Sequence, residues 1–120
     1  MIRIAKVAVV LALAGGLLFM PAAIADTFRV RATSGNEWRP DFRHITRGDR
    51  IVWKNPTNRT HTVVATSDNW NKSTTLNPGE KTGKRFRRNG TYRYRCTLHS
   101  GMRGEIHVQG SLRGPLGACL

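Results

Sequence analysis

From Asp26 onward the chain alternates apolar and polar residues in short runs, and no stretch sustains the helical spacing of apolar positions. Phe28, Val30 and Ala32 alternate with Thr27, Arg29 and Arg31, and Ile51 and Trp53 alternate with Arg50, Val52 and Lys54 after a Gly48-Asp49 turn. His61, Val63 and Ala65 share one face of the next run. Tyr92, Tyr94 and Cys96 share one face of a later run, with Arg93 and Arg95 on the other. Ile106 and Val108 close the series, with Glu105 and His107 facing the opposite way. Asn77-Pro78-Gly79 predicts a turn and Asn89-Gly90 a tight hairpin-type turn. Ser67 to Thr75, polar apart from Trp70, reads as a surface loop. Short strands at this spacing, with glycine and proline in the connections, predict an all-β single domain: a small antiparallel sandwich or Greek-key barrel.

The residues before this pattern follow different rules. Arg3 and Lys6 precede an apolar run from Val7 to Met20, and Ala23-Ile24-Ala25 carries the small residues at alternate positions that signal peptidase accepts. Residues 1–25 therefore read as a secretory signal peptide, with cleavage expected after Ala25. The apolar run is short for a membrane-spanning helix, which needs about 20 residues, and no membrane span is expected once the signal is removed. No twin-arginine pair precedes it, which favours export of an unfolded chain that acquires any metal outside the cytoplasm, in the periplasm or beyond. Residues 26–110 form the expected domain. After Gln109 the composition turns to Gly110, Gly114, Pro115 and Gly117, and residues 111–120 read as a flexible tail.

Charge narrows the choice of partners. Without Arg3 and Lys6 the chain holds eighteen basic residues against seven acidic ones. Such a surface favours acidic proteins, anionic lipid or nucleic acid. Nucleic-acid binding has no further support, because the arginines are scattered and no helix-turn-helix, zinc-finger or RNA-binding signature is present. The cluster Lys81, Lys84, Arg85, Arg87 and Arg88 reads as a solvated strand face that could also dock a partner.

The chemistry concentrates in Cys96-Thr97-Leu98-His99-Ser100-Gly101-Met102, which places thiolate, imidazole and thioether at steps of three. This soft donor set suits copper better than calcium, magnesium or manganese. Zinc remains open, although a structural zinc site draws its ligands from cysteine and histidine, and a thioether serves it poorly. A loop this short cannot enclose a metal alone. His61, on the same strand face as Val63, is the candidate for the second imidazole. Two imidazoles and a thiolate in a plane, with a weak axial thioether, are the geometry of electron-transfer copper. In an oxidising compartment Cys96 could instead pair with Cys119, and Met102 could be core packing. His44 and His107 read as surface or satisfied core residues.

The chain from Trp38 to Val108 resembles the cupredoxins of the plastocyanin, pseudoazurin and amicyanin group. The residues that carry the resemblance are Gly48-Asp49-x-Ile51-x-Trp53-x-Asn55, His61-Thr62-Val63, Asn77-Pro78-Gly79 and Gly90-Thr91-Tyr92-x-Tyr94-x-Cys96-x-x-His99-x-x-Met102-x-Gly104. The short step from His99 to Met102 is most similar to amicyanin. The resemblance implies an eight-stranded Greek-key sandwich with one type 1 copper per chain, held by His61, Cys96, His99 and Met102. It also implies that His99 is the electron port. Two departures bear on the site. The family often places Asn directly after the first histidine, where Thr62 stands here, so Thr97 is expected to hydrogen-bond across instead. The interval from His61 to Cys96 is short, so a strand or loop between them must be trimmed.

The expected function is outer-sphere electron transfer, with delivery or buffering of copper as the alternative. An enzyme is the least favoured class, because the neighbours of Cys96 are Arg95 and Thr97 rather than the histidine that multicopper oxidases use to reach a second site. The expected partner of this monomer is an acidic redox protein docking near His99, steered by Arg95, Arg103 and Lys84 to Arg88.

Overall fold

The computed structural model describes residues 25–110, and the signal-like segment, the tail and Cys119 lie outside them. Nine strands make up the described fold: β1 (Thr27–Ala32), β2 (Trp38–Arg39), β3 (Phe42–Ile45), β4 (Arg50–Lys54), β5 (His61–Ala65), β6 (Ser73–Leu76), β7 (Lys81–Arg85), β8 (Gly90–Arg95) and β9 (Arg103–Val108). They pack as two sheets, β2-β1-β4-β7 and β3-β9-β8-β5-β6. The all-β sandwich expected from the alternation is thus present, with one strand more than the eight expected.

Two strand pairs depart from the antiparallel expectation: β1 with β4, and β3 with β9, run parallel. The order of crossings explains both. The chain makes the β1–β2 hairpin in one sheet, passes to the other for β3, and returns for β4 beside β1. Such placements come from the route of the chain between layers, to which strand periodicity is blind.

The inward residues are those the alternation selects. Val30, Ala32, Ile51 and Trp53 from one sheet meet Val63, Tyr92, Tyr94, Ile106 and Val108 from the other, all buried. Each large side chain so buried contributes about 1.5–3 kcal/mol. Trp53 and Tyr94 meet edge to face at 5.3 Å across the interface.

Two local expectations need correction. Ser67 to Thr75 is not all loop: Ser73 begins β6, and Trp70 is buried, its Nε1 donating to the Arg93 carbonyl at 3.1 Å and its ring against Phe86. An indole that can hide its one N–H on a strand carbonyl is free to join the core. Asn89-Gly90 is not a hairpin turn, because β7 and β8 lie in different sheets; Gly90 opens β8 with φ of 152°. His107 does face away from buried Ile106 and Val108, and on that face it stacks on His44 across the β3–β9 pair, ring centroids 4.8 Å apart.

The Gly48-Asp49 and Asn77-Pro78-Gly79 turns are present. The buried carboxylate of Asp49 accepts from the amides of Asp26 and Thr46, both at 2.9 Å, tying the start of β1 to the turn before β4.

Candidate metal centre

Four segments meet at one end of the sandwich: the stretch after β4, the start of β5, the end of β8 and the loop from Cys96 to Met102. His61 opens β5 and is wholly buried. Cys96 follows β8 and is also buried, while His99 is half-exposed. The loop is closed by two backbone bonds, Cys96 N to the Met102 carbonyl at 2.7 Å and Met102 N to the His99 carbonyl at 3.2 Å. Gly101 permits that tight return with φ of 82°.

The donor atoms converge. Cys96 Sγ lies 3.5 Å from His99 Nδ1 and 4.0 Å from His61 Nδ1, and the ligand atoms of all three residues fall within 4.8 Å of one another. A metal bonded to sulfur at about 2.3 Å and nitrogen at about 2.0 Å, with ligands about 120° apart, sets those separations near about 3.7 Å. The residues therefore fit one ion at the centre of the triangle. Met102 is buried and lines the same cleft as Cys96 and His99.

Hydrogen bonds hold the triangle in place. Thr57 Oγ1 sits 3.1 Å from His61 Nε2, so the ring can donate there and leave Nδ1 bare for a metal. Thr57 is held in turn by Asn55, whose Oδ1 accepts from the Thr57 hydroxyl at 2.6 Å and the Thr57 amide at 3.0 Å. The amide nitrogen of Asn55 donates to the carbonyls of Arg59 and Leu76, at 2.6 and 2.8 Å. Asn55 is completely buried, and its donors and acceptor are all used.

On the other side, Thr62 N donates to Cys96 Sγ at 3.3 Å. Thr62 Oγ1 accepts from Thr97 N at 2.8 Å and meets Thr97 Oγ1 at 2.9 Å. The expected threonine link between the two ligand segments is thus formed. Burial first, then the positive charges at His99 and Arg59, hold the imidazole of His61 below its ordinary pKa, which favours the neutral, metal-binding form. Behind the site Gly104 makes room for the ring of Tyr94, since a Cβ there would collide with the Tyr94 hydroxyl.

Sequence reasoning missed Thr57. The signal was available in Asn55-Pro56-Thr57, where an asparagine side chain bonds the backbone two residues on, the pattern of an Asx turn.

Residues 28–109 match the copper binding proteins of the plastocyanin/azurin family. The chain belongs to that family. Solved structures agree with it. A reduced amicyanin variant superposes with a TM-score of 0.63 at 25% identity, covering 74% of this chain and 86% of that one. A second reduced amicyanin variant gives 0.64 at 21% identity, covering 77% and 88%. A purple cupredoxin from Nitrosopumilus maritimus gives 0.61 at 22% identity, covering 68% and 98%. No match was found among the curated proteins. As a cupredoxin, the chain is a copper-binding electron-transfer protein rather than an enzyme.

Proposed function

We propose that this cupredoxin is an exported one-electron carrier whose single copper is held by His61, Cys96, His99 and Met102. The observation that carries the ligand set is the convergence of His61 Nδ1, Cys96 Sγ and His99 Nδ1 around one point, with Met102 buried in the same cleft. A copper ion bound there supplies the Cu(II)/Cu(I) couple. The chain does the rest. Asn55, Thr57 and the Thr62–Thr97 link fix the donors before metal arrives, so the two oxidation states meet nearly the same cage. Burial of Cys96 and Met102 keeps water off the sulfur donors.

His99 is the one donor of the three that reaches the surface, and this supports its reading as the electron port. Exposed Leu98 lies beside it, with Arg95 and Arg103 at the rim. An acidic redox protein fits such a small apolar spot with a basic edge. The leader-like residues 1–25 support export, to the periplasm or outside the cell.

The test is a Cu(II) titration followed by absorption and voltammetry. One copper per chain, an intense sulfur-to-copper charge-transfer band and a reversible potential are expected. A colourless complex would overturn the ligand set, and a protein that holds only Cu(I) and hands it to a chelating acceptor would be a copper carrier instead. For export, the product recovered outside the cytoplasm should begin at Asp26.

A further inference from the structure

The outer face of the sheet β2-β1-β4-β7 carries a different specialisation. Arg39 stands opposite Arg31, Arg31 opposite Lys54, and Lys54 opposite Lys81, so one row across all four strands is cationic. Neighbours in such a row are about 4.8 Å apart between strands, and like charges directly opposite oppose pairing. A second cationic pair, Arg50 opposite Arg85, lies further along the same face, with Arg29 between the two rows. None of the four strands contains an acidic residue. The one ion pair at the face is at its margin, Arg39 with exposed Glu37 at 3.2 Å.

The centre of this face is concave. Arg29, Arg50, Lys54 and Lys81 surround a groove of about 410 Å³ whose floor is Val52 and Gly83. Gly83 has a steric role in it: a Cβ there would stand 2.6 Å from Arg50 Nη2, so the missing side chain lets the guanidinium lie across β7.

We infer that this face docks on an anionic lipid surface. The choice of partner follows from what the face lacks and from its shape. Its outward positions include no aromatic residue on which bases could stack, as single-stranded nucleic acid requires. Val52 is its only sizeable apolar side chain, too little for the apolar centre of a protein interface. The cations spread in two dimensions across four strands, and acidic headgroups form a matching two-dimensional array. Bound this way, the protein would lie with its sheet along the membrane and keep the strand-end site with His99 open to a partner. The inference is independent of the copper reading.

The test uses the full chain loaded with copper and sedimented with vesicles of phosphatidylglycerol and phosphatidylcholine, or of phosphatidylcholine alone, at low salt. Any affinity of residues 1–25 for lipid, including that of Arg3 and Lys6 for acidic headgroups, is common to both variants and cancels in their comparison. The variant Arg29→Gln/Arg31→Gln/Lys54→Gln/Lys81→Gln is compared with Arg47→Gln/Arg87→Gln/Arg88→Gln/Arg93→Gln, which loses the same charge from exposed positions elsewhere. Far-ultraviolet circular dichroism reports that both stay folded, whatever the state of the copper site. We expect the face variant to bind acidic vesicles roughly six-hundredfold more weakly, at about fivefold per cation, and the control to lose less than about tenfold. Equal losses in the two variants, or no preference for acidic over neutral vesicles, would overturn the inference. So would release of the protein by inorganic phosphate at matched ionic strength, which would make the groove a site for a free anion. Equally tight binding of a single-stranded oligonucleotide through the same four residues would assign the face to nucleic acid and sink the lipid reading.

Discussion

His61 and His99 offer the same nitrogen to the same sulfur, yet they belong to different kinds of structure. His61 is the first residue of a strand, sealed from solvent, and its far nitrogen is met by Thr57, which Asn55 fixes to two further carbonyls. His99 rides a short loop, half-exposed, with the loop's own backbone bonds for support. One donor is part of the core and the other is part of the surface. The division lets the fold determine the shape of the cage while a single ring edge communicates with the outside.

The largest effect is expected where the two sides meet. Cys96→Ser should abolish the charge-transfer band completely and leave the far-ultraviolet circular dichroism of the fold in place, whereas Cys119→Ser should leave the band unchanged. Loss of colour in the second variant would show that the wrong cysteine has been assigned.

The histidines themselves break or confirm the comparison. His61→Ala removes a buried ring and should cost the metal-free protein about 2–3 kcal/mol in a denaturant melt, while His99→Ala should cost less than about 0.5 kcal/mol. Both should lose the native spectrum. Added imidazole should restore it only in His99→Ala, because that cavity opens to solvent. Rescue of both, or of neither, would erase the distinction.

Met102→Gln should keep a coloured site and lower its reduction potential, since an amide oxygen favours Cu(I) less than a thioether does. A potential equal to that of the parent protein, read by voltammetry, would make Met102 packing alone. Thr57→Val should weaken copper binding by about tenfold through a misdirected His61 ring, the lower end of what lost ligand support costs; a chelator competition measures it. An unchanged affinity would mean that burial alone orients the ring.

The smallest effect concerns acid. Because the folded state holds His61 below its ordinary pKa, the unfolded chain binds the proton first as pH falls. The metal-free protein should therefore keep its full stability above about pH 6.5 and lose some of it below. His44 is held down in the same direction, by burial and then by His107, and should contribute likewise. The melting temperature of the metal-free protein and of His61→Gln across this range separates the two contributions. A parent protein equally stable at acid and neutral pH would contradict both shifts.

The sequence made some of this visible and hid the rest for definable reasons. Strands β1, β4, β8 and β9 were legible because one face of each is buried, so their residues alternate; β5 was legible from His61, Val63 and Ala65 at alternate positions, although Thr62 between them is buried too. β2 is only two residues long, and β3 and β6 are four-residue strands with mostly exposed or half-buried side chains, so little alternation could form. The loop from Cys96 to Met102 was legible because chemistry dictates its residue types. The role of Thr57 was only half legible: Asn55-Pro56-Thr57 signals an Asx turn, but not which ring the Thr57 hydroxyl meets. The cationic row was also invisible: Arg39, Arg31, Lys54 and Lys81 are scattered in sequence, and only strand register brings them side by side.

The parallel pairing of β3 with β9 has a consequence for how the molecule comes into being. Among the described residues β3 is an edge strand whose only neighbour is β9, and β9 is the last strand. Until Arg103–Val108 has emerged during synthesis, β3 lacks its partner among the described strands and β8 lacks one side of its ladder. Cys96 and His99 lie just ahead of β9. Assembly must therefore wait for nearly the whole domain, as expected of folds dominated by contacts distant in sequence, which take about milliseconds to seconds to form. The cage and the sandwich are finished by the same event, so a truncated or half-synthesised chain has no formed pocket in which to trap copper.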